Sequence, residues 1–196
     1  MKTLILGGIR SGKSRFAESL AVNSEKPVVY IASATADDQE MQARIIEHQT
    51  NRPAHWVLVE EPIHLASALQ ANAKPDQFVI VDCLTLWLTN LLLTGDEPLL
   101  RQELHIFIET VKNTAMNVAL VSNETNMGIV PLGALSRKFC DEAGRLHQHL
   151  APECHRVVLM VAGLPLMIKG EAIESHPSHE RYPTHESHPS KEEDDL

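Results

Sequence analysis

The chain has 196 residues, 43% of them apolar, which suits one α/β domain with a sizeable core and excludes a disordered polymer. Its net charge of −9 argues against a general nucleic-acid binder, which needs a basic face. That charge is uneven: residues 170–196 carry eight acids and two bases, so the body holds only −3 of it. Cys83, Cys140 and Cys154 are odd in number without a C-x-x-C spacing, so a reduced, cytoplasmic setting is expected. The longest apolar run, Leu84 to Leu93, is interrupted by Thr85, Thr89 and Asn90 and falls short of the ~20 residues that span a bilayer, so no membrane span is expected.

In chain order, Thr3–Leu6 reads as a short buried strand ended by Gly7-Gly8, and Ser14–Ala21 as a helix. Val28–Ala32 is a second strand opened by Pro27. Asp37–Gln49 is rich in helix formers, with acids in its first turn where the macrodipole favours them. Trp56–Val59 is a strand and Ile63–Ala73 a helix. Gln77–Asp82 is a buried strand with an acid at its carboxyl end. Helices follow over Thr85–Leu93 and Pro98–Lys112, then a strand over Asn117–Ser122, a helix over Ala134–Leu150 and a last strand over Arg156–Val161. Strands alternating with helices predict a single-domain α/β fold: a mostly parallel sheet with helices on both faces. From Gly170 the composition changes to Pro, Ser, His and acids, with a near-repeat at Glu174–Ser178 and Glu186–Ser190. Such residues cannot bury enough apolar surface to offset ordering entropy, so the expected organisation is a domain over 1–169 and a disordered tail over 170–196. The four tail histidines are a solvated appendage before they are a chelating site.

The first turn carries chemistry. Gly7-Gly8-Ile9-Arg10-Ser11-Gly12-Lys13-Ser14 fits the phosphate-binding pattern G-x-x-x-x-G-K-[ST], placed between a strand and a helix as that pattern requires. The glycines let successive N–H groups turn inward toward phosphate oxygens, and the helix adds its positive N-terminal end. Lys13 supplies a point charge for the β- and γ-phosphates, and the Ser14 hydroxyl is suited to Mg²⁺. Asp82, at the end of a hydrophobic strand, is the matching candidate for a Mg²⁺-holding acid or a simple helix cap; the P-loop favours the metal role. Arg10 can touch phosphate or face water. A P-loop of this RecA-like, NTPase type serves kinases, ATPases, GTPases and binding switches alike, so it leaves the substrate open.

Beyond the loop, further stretches carry a resemblance. Gly7 to Glu18 is similar to the opening of the bifunctional adenosylcobinamide kinase / adenosylcobinamide-phosphate guanylyltransferases of cobalamin synthesis. Tyr30-Ile31-Ala32, Glu40-Met41 through Arg44-Ile45 to His48, Arg52–Trp56, Asn123-Glu124 with Met127–Pro131, and the helix Phe139–Gln148 resemble that family in the same order. The likeness covers about residues 1–169. It implies two reactions: phosphorylation of the corrinoid's terminal hydroxyl from ATP or GTP, then transfer of GMP from GTP to that phosphate through a guanylylated histidine, here His48. It implies nucleotide contacts at Ala32-Ser33-Ala34 and Gln49-Thr50-Asn51-Arg52, and a guanine contact at Glu60. It also implies a homo-oligomer, a trimer among the expected forms.

The residue chemistry allows this. A neutral imidazole is a competent nucleophile near pH 7, and a phosphoramidate passes its GMP onward, splitting one hard step into two. Arg52 suits charge on an α-phosphate, and a carboxylate at 60 suits guanine's N1 and N2 donors. Met41, Ile45 and His48 share a helical face, a spacing that a packed structural histidine would show equally. Departures from the family pattern are Ser33 in place of Thr, Thr125-Asn126 before Met127, and Leu146-His147-Gln148. Two readings outside the resemblance stay open: a P-loop small-molecule kinase or NTPase without a covalent histidine, and a nucleotide-gated binding protein.

Overall fold

The computed structural model describes residues 1–34, 53–72 and 74–171. In chain order the elements are β1 (Lys2–Gly7), α1 (Lys13–Asn23), β2 (Val28–Ala32), β3 (Val57–Glu60), α2 (Leu65–Asn72), β4 (Phe78–Asp82), α3 (Leu84–Leu93), α4 (Glu97–Asn113), β5 (Asn117–Val121), α5 (Ala134–Glu153), β6 (Arg156–Val161) and β7 (Leu164–Lys169). The strands form one seven-stranded sheet in the order β3-β2-β4-β5-β1-β6-β7. All neighbouring pairs are parallel except β6 with β7.

Side-chain alternation along the strands builds two cores. Leu4, Ile31, Val81, Leu120 and Val157 face α2, α3, α4 and α5, while their chain neighbours Ile5, Tyr30, Ile80, Val121 and Val158 face Ala17 and Ala21 of α1. The central strands are thus buried on both faces, which is why they read as continuous apolar runs. At the centre of the larger core Trp87 packs on Phe107 with ring centroids 4.9 Å apart. Its indole N–H donates to the Ile63 carbonyl at 2.7 Å, so the ring is buried without an orphaned donor. Local signals set the helix starts. Asp96 caps α4, its Oδ1 accepting from the Leu99 N–H at 3.0 Å with Pro98 in the first turn. Glu61 Oε1 accepts from the Ile63 and His64 amides ahead of α2, at 2.9 and 2.7 Å.

The strand over Arg156–Val161 is not the last. β7 folds back on it through Ala162-Gly163, both at positive φ (52° and 81°), the geometry of a tight hairpin turn. Among the described residues no helix is long and apolar enough to cross a membrane. The predicted helix 37–49 and nearly all of the predicted tail lie outside the described residues.

Candidate active site

The carboxyl ends of β1, β2, β3 and β4 lie along one edge of the sheet, the edge where open α/β sheets collect ligands. The register fixes their order: Glu60 is paired with Ala32, Ala32 with Asp82, Asp82 with Val121, and Val121 with Ile5. Strands sit about 4.8 Å apart, so Asp82 is two spacings, roughly 10 Å, from the strand that feeds the glycine loop.

That loop is shaped by what surrounds it. Gly7 takes φ 150°, and a Cβ there would come within 2.5 Å of the Met160 carbonyl oxygen and 2.7 Å of Ser11 Oγ. Gly12 takes φ 95° immediately before α1 and lies against Gly163 of the β6–β7 turn. The Gly163 N–H donates to the Ser11 carbonyl at 3.1 Å, so the terminal hairpin braces the loop from behind. Gly7→Ala is expected to lose triphosphate binding and to lower stability by about 1–3 kcal/mol, since a backbone oxygen blocks the new methyl. Thermal melting and GTP titration measure both, and wild-type values would show that the loop has slack.

Lys13 opens α1 with its side chain buried, and its ammonium donates to the Gly8 carbonyl at 2.6 Å. Burial holds its pKa below the ordinary lysine value, against an opposing pull from Asp82 and then Cys83. The charge therefore sits inside the loop with little water to stabilise it, ready for a polyanion. Ser14 follows, half-buried, while Gly8, Ile9 and Arg10 stand exposed around the loop, Arg10 at φ 55°.

Asp82 is half-buried and its Oδ2 accepts from the Tyr30 hydroxyl at 2.6 Å, which fixes the carboxylate at the strand end. Next to it, burial and then the Asp82 charge push the Cys83 thiol up to about 12, so it stays protonated and is no nucleophile. Ser33 is fully buried. Its hydroxyl donates to the Cys83 carbonyl at 2.6 Å and accepts from the Cys83 N–H at 3.0 Å, while Asn90 donates to its carbonyl at 2.9 Å. The Ser33 side chain thus ties β2 to β4, its N–H donates to the Asp82 carbonyl at 3.2 Å, and the Ala32 carbonyl accepts from the Glu61 N–H at 2.9 Å. Glu60 is exposed at the end of edge strand β3. His48, Gln49, Thr50, Asn51 and Arg52 lie outside the described residues.

The structure adds groups that the sequence did not single out for a role. Tyr30 positions Asp82. Glu124, just beyond β5, joins the loop directly: its N–H donates to the Gly7 carbonyl at 3.0 Å. His147 on α5 is buried beside it, with Nε2 2.8 Å from Ser122 Oγ and Nδ1 3.8 Å from Glu124 Oε2. The available signal for Glu124 was an acid just past the end of a buried strand, the same signal that marked Asp82.

A parallel sheet with a glycine-bent loop, a buried lysine and a helix N-terminus at its carboxyl edge defines a P-loop nucleotide-binding protein. More specifically, the chain belongs to the cobinamide kinase / cobinamide phosphate guanyltransferase family, which it matches over residues 3–168. It is 53% identical over 173 residues to the bifunctional adenosylcobalamin biosynthesis protein CobP of Pseudomonas aeruginosa, covering 88% of this chain and 100% of that protein. It is 40% identical over 182 residues to the bifunctional adenosylcobalamin biosynthesis protein CobU of Escherichia coli K12, covering 86% and 100% respectively. Among solved structures, a Pyrococcus horikoshii OT3 protein superposes with a TM-score of 0.51 at 10% identity over 86% of each chain, a likeness of fold alone.

Proposed function

We propose that this chain phosphorylates the terminal hydroxyl of adenosylcobinamide with ATP or GTP, and then transfers GMP from GTP to the new phosphate through a guanylyl-histidine at His48. The observation that carries the reading is the buried Lys13 inside the Gly7–Gly12 loop, on a chain that matches the family from end to end of its folded body. Loop amides and Lys13 hold the polyphosphate, and the N-terminal end of α1 favours its charge. Ser14 and Asp82 offer one hydroxyl and one carboxylate, hard oxygen donors that suit Mg²⁺ when phosphates complete its shell. These two residues would hold the ion, and when bound it would neutralise charge developing on the phosphates. Glu60 accepts from the guanine N1 and N2 groups, and Gln49–Arg52 with Ala32–Ala34 complete the nucleotide contacts. The three free thiols fit a reduced, cytoplasmic setting, and the assembly is a homo-oligomer of trimeric type.

The test is direct. Purified protein with Mg²⁺ and γ-labelled ATP should label adenosylcobinamide, and subsequent α-labelled GTP should give adenosylcobinamide-GDP with release of pyrophosphate. Label on another small alcohol but none on the corrinoid would make it a P-loop kinase of different specificity. GTP bound without any turnover would make it a nucleotide-gated binding protein.

A further inference from the structure

Glu124 stands at a recess that the nucleotide contacts leave unassigned. A cavity of about 330 Å³ lies between Gly8 and Ser11 of the phosphate loop, Glu124 and Met127 beyond β5, and Leu159–Ala162 at the end of β6. It adjoins the loop residues that would surround the terminal phosphate. Two buried polar atoms beside it have no hydrogen-bond partner among the described residues: Ser11 Oγ in the loop and His147 Nδ1 behind Glu124. Such atoms are rare in native interiors and ask for an explanation. One oxygen of Glu124, Oε1, is taken by the Asn126 N–H at 2.7 Å. The other, Oε2, has His147 Nδ1 at 3.8 Å, too far for a hydrogen bond but closable by a small movement. His147 is itself oriented by Ser122, through Nε2 to Oγ at 2.8 Å.

We propose that Glu124 is the catalytic base of the kinase step, receiving the acceptor alcohol's proton in this recess, with His147 as the residue that positions its carboxylate. The proposal rests on the kinase reading above. Asp82, within electrostatic reach of Lys13, has its carboxylate bound by Tyr30 and ends a strand two places from the one that feeds the loop. In the step itself, the alcohol oxygen bonds to the γ-phosphorus as the bond from that phosphorus to the β–γ bridging oxygen breaks. The nucleoside diphosphate leaves with the electron pair, and the alcohol proton moves to Glu124 Oε2 and then to solvent. Phosphoryl transfer asks little covalent work of a protein, so orienting the hydroxyl is as much of the task as taking its proton. A carboxylate whose hydrogen bond tightens only with substrate present is usual for a base in a ligand-free site.

Steady-state kinase kinetics of the full-length protein, with Mg-ATP and adenosylcobinamide, test this. Glu124→Gln should lower kinase kcat about 100- to 1,000-fold, with the KM for ATP changed less than threefold and covalent labelling by GTP retained. Glu124→Asp, which keeps the carboxylate but draws it back, should recover at least tenfold of that loss. His147→Leu should lower kcat without raising KM, and His147→Asn, whose amide can still bond the carboxylate, should recover most of the activity. A Glu124→Gln protein with kcat within threefold of wild type overturns the assignment. So does one whose GTP labelling falls in parallel with its kinase rate, because the defect would then lie in the shared nucleotide site. A wild-type protein that fails to phosphorylate adenosylcobinamide overturns the functional reading first, and this assignment with it.

Discussion

Lys13→Ala is expected to abolish detectable binding of ATP and GTP and, with it, both transferase activities. Among the described residues the ammonium is the buried cation of the loop, Arg10 standing exposed, and it already donates to the Gly8 carbonyl at 2.6 Å. Charge-assisted hydrogen bonds are each about 1.5–3 kcal/mol, and Lys13 can reach oxygens of two phosphates. Losing two such bonds corresponds to a drop in affinity on the order of 100-fold or more. Lys13→Arg should fail nearly as badly, because a planar guanidinium does not fit a buried pocket shaped for a compact ammonium. Stability should move the other way. Burial disfavours the charged lysine in the free protein, so Lys13→Met is expected to match or exceed the wild-type melting temperature without nucleotide. The same burial sets the pH dependence. The free-state pKa lies below the usual lysine value and bound phosphate raises it, so affinity should be steady at neutral pH and fall as the solution becomes alkaline enough to deprotonate the free protein. Isothermal titration of the variants with GTP reads all of this. Undiminished affinity in Lys13→Ala would place the phosphates outside the loop.

Much of this architecture was legible in the chain because buried parallel strands and glycine loops are local signals. Val79-Ile80-Val81 and Val118-Ala119-Leu120 are apolar on both faces, and each strand prediction lies within about a residue or two of the element found. β7 was not legible. Its exposed residues Leu164, Leu166 and Ile168 alternate with half-buried Pro165 and Met167, so all five are apolar and no polar–apolar period shows, and the turn before it is Ala162-Gly163, without the Asn or Asp that usually marks a two-residue hairpin. The phosphate loop was readable as a pattern, whereas its support by the Gly163 amide was not, since that contact joins residues about 150 positions apart in the chain. Glu124 and His147 show the same limit. Nothing in sequence links them, and they meet only because α5 packs across the sheet with its buried stripe, Ala143, Leu146 and Leu150, turned toward the strands. At Ser33 the sequence pointed only to a place at the sheet edge, and the bonds by which its hydroxyl holds β2 to β4 came from the fold.

His48→Ala is expected to separate the two half-reactions. Incubated with α-labelled GTP and Mg²⁺, the wild-type protein should gain covalent label that is acid-labile and alkali-stable, as a phosphoramidate is, and the intact mass should rise by one GMP unit. The variant should show neither, because no other nucleophile is expected at the α-phosphorus and the Cys83 thiol is held protonated. Its phosphorylation of adenosylcobinamide from ATP should stay within a few-fold of wild type, since that step needs the loop, Lys13 and an acceptor hydroxyl but no covalent intermediate. Loss of guanylyl transfer should be at least about 1,000-fold, the scale on which removing a covalent nucleophile acts. His48→Asn is the sharper variant, keeping a polar side chain while removing the nucleophilic nitrogen. If it still takes up label, the nucleophile is another residue. If neither wild type nor variant is labelled yet adenosylcobinamide-GDP forms, then GMP passes directly from GTP to the substrate phosphate, and the cradle described here would have to hold both partners at once.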